Sequence, residues 1–212
     1  MLTSLWQILP KYLPEPAVEG ISGWLMEKRV ILVITGTRAS KSGDYRPPKQ
    51  STPARIGINH SLNHYEFLIT LVHEMAHHAV WLQEQEWLKG FFTRRRSGYR
   101  PHGKEWKSYF RYMMKPYLVP GIFPPDVLIY LEQYLENPKA ATSADHNLRI
   151  ILKKYDTPDG SEFVEELPFD TVFMAGGKLF RKKDKLRKRY RCIRIDNNQV
   201  YLFSPAAQVF RA

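Results

Sequence analysis

The feature that most constrains this chain is the pentapeptide His-Glu-Met-Ala-His at residues 73–77. Apolar residues recur around it at three- and four-residue steps, a pattern that predicts an amphipathic helix. Residues four positions apart lie on one face of a helix, one turn from each other. The imidazoles of His73 and His77 can therefore bind one metal ion, and Glu74 lies beside that ion. From there Glu74 can take a proton from a water molecule that the ion activates.

The ends of this helix are also marked in the sequence. Asn63 is predicted as the N-cap, with Glu66 reaching back to the Asn63 amide in a capping box. Gly90 is predicted to end the helix. The segment 37–53 is predicted to be a loop or irregular hairpin, with a turn at Ser42-Gly43-Asp44. It precedes the strand-like residues 55–59, which are followed by the helix.

Two histidines do not complete a catalytic zinc site, which usually has three protein ligands and one water molecule. His102 is the best candidate for the third ligand by spacing and by elimination, because it directly precedes a second amphipathic pattern. Gly103 is expected to leave room beside the metal. His78 points about 100° around the helix from His77. The rivals for the third position are His60, His64, His78 and His146.

The segment Val72-His73-Glu74-Met75-Ala76-His77, followed by His102-Gly103-Lys104-Glu105-Trp106, resembles the SprT-like metallopeptidase domain, the family that includes the Spartan proteases. The strand-like stretches 31–35 and 55–59 resemble the short sheet of that family. The resemblance covers roughly residues 15–115. It implies a zincin-like α+β fold with an active-site helix, and a protease that acts on proteins bound or crosslinked to DNA. In this interpretation His73, His77 and His102 bind Zn²⁺, and Glu74 is general base and then general acid.

Composition changes along the chain predict three parts. Residues 1–136 form the metallopeptidase domain, residues 137–147 are a small, polar linker, and residues 148–212 form a basic, β-rich C-terminal unit. Many SprT-like proteins carry a cysteine-rich zinc ribbon in this last place. This chain has a single cysteine, Cys192, which excludes both a zinc ribbon and an intrachain disulfide. We expect Cys192 to be a small buried residue.

The charge of the chain favours polyanionic partners. The formal net charge is +11, and much of the excess lies in two basic segments, residues 91–100 and 181–191. Arginines there could contact phosphates while neighbouring aromatic rings stack on exposed bases. The other interpretation is a solvated loop and a sheet edge that lysines protect from aggregation. The candidate nucleic-acid contacts are Arg94, Arg95, Arg96, Arg181, Lys182, Lys183, Lys185, Arg187, Lys188 and Arg189.

The sequence has no apolar run of the ~20 residues that cross a membrane, and its N-terminus lacks the basic start of a signal peptide. We therefore expect a cytoplasmic protein without a membrane partner. Its expected partners are protein substrates and DNA, single-stranded or damaged. The oligomeric state and the second group that stabilises the oxyanion, for which Tyr99 and Arg100 are candidates, stay open.

Two other functions are compatible with the sequence. One is a cytoplasmic peptidase that is independent of DNA. The other is a nucleic-acid-binding module in which the zinc site is structural. Glu74 argues against a structural site, because such a site needs no carboxylate beside its ligands.

Overall fold

The computed structural model describes residues 5–36, 41–89, 100–140 and 145–212. The chain is a mixed α+β protein and divides into two compact units, Met1–Asp156 and Thr157–Ala212. No helix among the described residues is long and apolar enough to cross a membrane.

The first unit combines helices with one small sheet. The sheet order is β1-β3-β2, in which β3 runs parallel to β1 and antiparallel to β2, so β2 is an edge strand. The helices and strands of the first unit are α1 (Leu5–Ile8), α2 (Val18–Glu27), β1 (Ile31–Thr35), β2 (Gly43–Arg46), β3 (Arg55–Asn59), α3 (His64–Lys89), α4 (Lys104–Met114), α5 (Pro125–Glu136) and α6 (His146–Lys153).

Helix α3 is the centre of this unit. It packs against β2, β3 and α4, and apolar side chains along its first three turns are fully buried. The strand β3 faces the same core with Ile56 and Ile58, which are also fully buried. In the described segment 41–89 no turn is centred on Gly43, because Gly43 and Asp44 are the first two residues of the strand β2. The pairing of β2 with β3 provides the hydrogen bonds that make residues 43–46 extended.

The boundary between the units lies later than the sequence indicates. Residues 148–156 were assigned to the C-terminal unit, but α6 belongs to the first unit. Leu148 and Leu152 of α6 are buried in the same core as α3. The physical reason is the strong amphipathicity of α6, whose apolar face is covered by the first unit.

Asn63 is the N-cap of α3, as predicted. Its side-chain oxygen accepts hydrogen bonds from the backbone N–H groups of Tyr65 (3.1 Å) and Glu66 (2.9 Å). Its amide nitrogen donates to the carbonyl oxygen of Leu152 (2.9 Å) and to Oδ1 of Asp156 (2.7 Å), which ties α3 to α6. Glu66 does not complete the capping box within the described chain, because its carboxyl group bonds to Ser42. Burial and the nearby charge of Asp156 raise the pKa of Glu66 to about 7.

The second unit is a six-stranded sheet with the order β4-β9-β5-β6-β7-β8, in which neighbouring strands are antiparallel. It has its own apolar core, which includes Phe173, Phe180 and the buried Cys192. Its strands are β4 (Ser161–Phe163), β5 (Val172–Ala175), β6 (Lys178–Lys185), β7 (Tyr190–Arg194), β8 (Val200–Phe203) and β9 (Gln208–Arg211).

We expect Asn63→Ala to lower the free energy of unfolding of the first unit by about 2–3 kcal/mol, because it removes the cap and the bonds to Leu152 and Asp156. Asn63→Ser keeps a capping oxygen and should recover about 1 kcal/mol of that loss. Urea unfolding followed by tryptophan fluorescence measures this unit alone, since all five tryptophans precede residue 156. Equal losses in the two variants would contradict the capping role.

Candidate metal centre

Two elements bring the predicted ligands to one place. His73, Glu74 and His77 lie on α3, and His102 lies two residues before α4 begins. His102 has a φ of +58°, a left-handed conformation that is uncommon outside glycine and that turns the chain into α4. Gly103 is expected to leave room beside the metal, but in the structure the close neighbour of this position is the backbone of Arg100. A Cβ atom on Gly103 would lie 2.9 Å from the carbonyl oxygen of Arg100, so the glycine makes room for this turn.

The three histidines form a compact cluster. The Nε2 atom of His102 lies 3.2 Å from Nε2 of His73 and 3.0 Å from Nε2 of His77. Two ligands of a tetrahedral ion at about 2.0–2.1 Å are about 3.3 Å apart, close to these separations. The ligand atoms of all three residues lie within 4.8 Å of one another, close enough to bind one metal ion. This is the group of ligands that the sequence analysis selected.

The rival histidines do not join this cluster within the described ranges. His78 is buried, and its Nδ1 atom lies 3.0 Å from the hydroxyl oxygen of Tyr45. His60 and His64 are exposed, and His146 lies on α6. The helical phase explains the position of His78, because it lies one residue after the ligand face.

The surroundings keep the imidazoles neutral. Burial, with the neighbouring histidines, lowers the pKa of His73 to about 2 and that of His77 to about 4. Burial also lowers the pKa of His102. Only a neutral imidazole has a free ring nitrogen for a metal ion. At neutral pH all three residues are therefore in the form that binds metal.

An aromatic wall supports the cluster. The ring of Trp106 lies 4.5 Å from that of His73 and 4.8 Å from that of His102, measured between centroids. Its indole N–H donates to the backbone carbonyl oxygen of His73 at 3.3 Å. Phe110 stacks on Trp106 at 5.1 Å and lies edge-on to the ring of His73 at 5.6 Å. This wall restrains the histidine rings and gives the cluster an apolar side.

Glu74 is buried next to β2. A Cβ atom on Gly43 would lie 2.9 Å from Oε1 of Glu74, 2.8 Å from Cγ2 of Thr70 and 3.0 Å from Cδ1 of Ile58. Any side chain at position 43 would therefore displace the carboxylate or its neighbours. The sequence analysis missed this role of Gly43, because a glycine in a polar segment looks like a turn residue. Only the position of Gly43 against α3 shows that this glycine leaves room for the Glu74 carboxylate and is not a turn residue.

The candidate nucleic-acid contacts differ in their surroundings. Arg94, Arg95 and Arg96 lie outside the described residues. In the second unit, the exposed residues are Arg181, Lys185, Arg187, Lys188 and Arg189, whereas Lys183 is partly buried and forms an ion pair with Asp170.

Lys182 corrects the prediction for this segment, because its side chain is buried. Its ammonium group donates to the carbonyl oxygens of Glu165 (3.2 Å) and Leu167, and lies 4.1 Å from the centroid of the Tyr190 ring. Alternation along β6 points this residue inward while Arg181 points outward. Lys182 thus stabilises the second unit instead of facing a nucleic acid.

Comparison of the chain with protein-family models, curated proteins and solved structures gives no match. Three neutral imidazoles would leave the fourth position of a tetrahedral ion open, which is typical of catalytic metal sites. A buried carboxylate one residue after the first ligand is suited to proton transfer beside that position.

We expect the protein to bind one equivalent of Co²⁺ or Zn²⁺, and His102→Ala to weaken this binding by at least about 100-fold, because it removes one of three ligands. His60→Ala is the matched control, since it removes an exposed histidine of the same unit. Titration with Co²⁺, followed by visible absorption, measures both affinities. Equal affinities for the two variants would exclude His102 as a ligand.

Proposed function

We propose that this protein is a zinc-dependent protease of the SprT-like type, with a zincin-like fold in its first unit. One observation carries the proposal: the Nε2 atom of His102 lies 3.0–3.2 Å from those of His77 and His73, and the residue that follows His73 is the buried Glu74. This donor set fits zinc, which prefers imidazole ligands in tetrahedral sites and keeps one position open when it is catalytic.

In the proposed reaction, His73, His77 and His102 hold the zinc ion. When bound, zinc polarises the scissile carbonyl group and acidifies a water molecule. Glu74 would accept a proton from the water whose oxygen attacks the carbonyl carbon, and would later donate that proton to the nitrogen that leaves when the C–N bond breaks. Oε1 of Glu74 lies in the space that a Cβ atom on Gly43 would need, so the glycine leaves room for the carboxylate in the position used for both transfers.

The edge strand β2 suggests how a substrate is held. It is hydrogen-bonded to β3 along one side and lies beside α3. An extended polypeptide can add to the other side of such a strand through main-chain hydrogen bonds, which depend little on side-chain identity. We therefore propose extended or unfolded protein segments as substrates, with low sequence preference.

We further propose that the substrates are proteins bound or crosslinked to DNA and that DNA recruits the enzyme. The net charge of +11 supports this proposal, as do the exposed cations of the β6–β7 hairpin, Lys185, Arg187, Lys188 and Arg189. A basic hairpin binds phosphates without reading bases, which is suited to an enzyme that acts at many DNA sequences.

We expect Glu74→Gln to retain zinc and to lower the rate of proteolysis by at least about 100-fold, because it removes the group that transfers the proton. The assay measures cleavage of a DNA-binding protein by wild type and variant with verified, equal zinc contents. Addition of single-stranded DNA should raise the wild-type rate, and this increase should fall steeply with salt concentration.

The outcomes of this assay separate the alternatives. A rate that is independent of DNA and salt would leave the chemistry intact and favour a DNA-independent peptidase. A zinc-loaded Glu74→Gln protein with full activity would exclude the catalytic role of Glu74. DNA binding without cleavage by either protein would favour a nucleic-acid-binding module with a structural zinc site.

We expect Gly43→Ala to lower kcat by about 10- to 100-fold without loss of zinc, because the new methyl group displaces the Glu74 carboxylate. Gly23→Ala is the matched control, since a Cβ atom there meets no atom within 4 Å. Steady-state kinetics on the same substrate compares the two variants. An unchanged kcat for Gly43→Ala would mean that the position of Glu74 does not depend on this close contact.

A further inference from the structure

Strand β2 meets helix α3 at two points with matching spacing. Gly43 lies against Glu74, and the hydroxyl group of Tyr45 lies 3.0 Å from Nδ1 of His78. Residues two apart on a strand face the same side and are separated by about 6.8 Å. Residues four apart on a helix are about 6.0 Å apart along its axis. The strand and the helix can therefore make both contacts at once.

The second contact is held in aromatic surroundings. The imidazole of His78 is buried and packs against three rings: Tyr45 edge-on at 5.5 Å, Trp24 edge-on at 5.6 Å and Trp81 stacked at 5.8 Å. Burial raises the pKa of the Tyr45 hydroxyl well above its usual range, so this group keeps its proton. A hydrogen bond in such a place is strong, and its loss leaves a polar atom without a partner.

The first contact favours the register in which Gly43 lies opposite Glu74. Gly43 contributes no side chain to hold β2 in place, and every other residue of β2 has a Cβ atom that would collide with the Glu74 carboxylate. A shift of β2 by two residues would bring Tyr45 to this position. The pairing with β3 holds β2 relative to β3, and Tyr45 is the next residue of β2 whose side chain contacts α3.

We propose that Tyr45 and His78 form a positioning pair that fixes the register of β2 on α3, and thereby the position of the Glu74 carboxylate relative to the strand that receives substrate. The catalytic consequence rests on the proposed protease function, whereas the effect on the strand does not. Neither residue touches the reacting atoms. Their role is to keep Gly43, and not a residue with a side chain, opposite Glu74.

Tyr45→Phe tests the pair with minimal disturbance, because it removes the hydroxyl group and keeps the ring. Tyr130→Phe is the matched control, since it removes a comparable hydrogen bond, from the Tyr130 hydroxyl to Asp145 at 2.9 Å, in the same unit. Amide hydrogen exchange of residues 42–47 reports on β2 directly. We expect exchange there to be about three- to tenfold faster in Tyr45→Phe and unchanged in Tyr130→Phe. Equal exchange in the two variants would overturn the proposal.

Kinetics at equal zinc content tests the catalytic consequence. We expect Tyr45→Phe to lower kcat/KM by about three- to tenfold at a temperature where both variants are fully folded, and Tyr130→Phe to leave it unchanged. His78→Phe, which keeps a ring and removes Nδ1, should have a similar effect, and the double variant should be no worse than either single variant, because both remove the same bond. Full additivity, or faster exchange with an unchanged kcat/KM, would overturn the positioning role. If the wild type cleaves no substrate, the protease proposal fails, while the exchange experiment still decides whether the pair anchors β2.

Discussion

The packing of α3 between the small sheet and α4 determines where each chemical group of the candidate metal centre lies. One side of the helix buries apolar residues against the core. Another carries His73 and His77 toward His102 and Trp106. Glu74 and His78 point toward β2. A rotation of this helix by one residue would disturb the core, the ligand cluster and the strand contact together, so the apolar packing also fixes the geometry of the centre.

Several buried polar residues on α3 make the helix expensive to fold. Thr70, His73, Glu74 and His78 are all buried, and a buried polar group costs free energy unless it has a partner. At His78 the partner is Tyr45. In the histidine cluster the free-energy cost of burial is limited in another way, because burial keeps the imidazoles neutral. Neutral imidazoles close together repel one another far less than charged ones, and the same neutral form is the one that binds a metal ion.

The second unit also buries a polar group, the ammonium group of Lys182, and surrounds it with partners. The ammonium group of Lys182 is enclosed by two carbonyl oxygens and the ring of Tyr190. Its neighbours on the β6–β7 hairpin, including Arg187, Lys188 and Arg189, stay exposed. One basic run in the sequence thus serves two physical purposes: Lys182 faces inward from β6, whereas Arg187, Lys188 and Arg189 lie in the connection between β6 and β7. The exposed members remain the basis of the proposed contact with DNA.

The sequence alone determined the features that depend on neighbours along the chain. The apolar period predicted α3, Asn63 was recognisable as its cap, and the spacing of His73, Glu74 and His77 follows from helix geometry. His102 could be proposed from spacing and by elimination, but its distance from α3 depends on how α4 packs. The roles of Gly43, Tyr45 and Lys182, and the assignment of α6 to the first unit, were decided by tertiary structure. Each of these depends on contacts between residues far apart in the chain, and local periodicity carries no information about which surfaces meet.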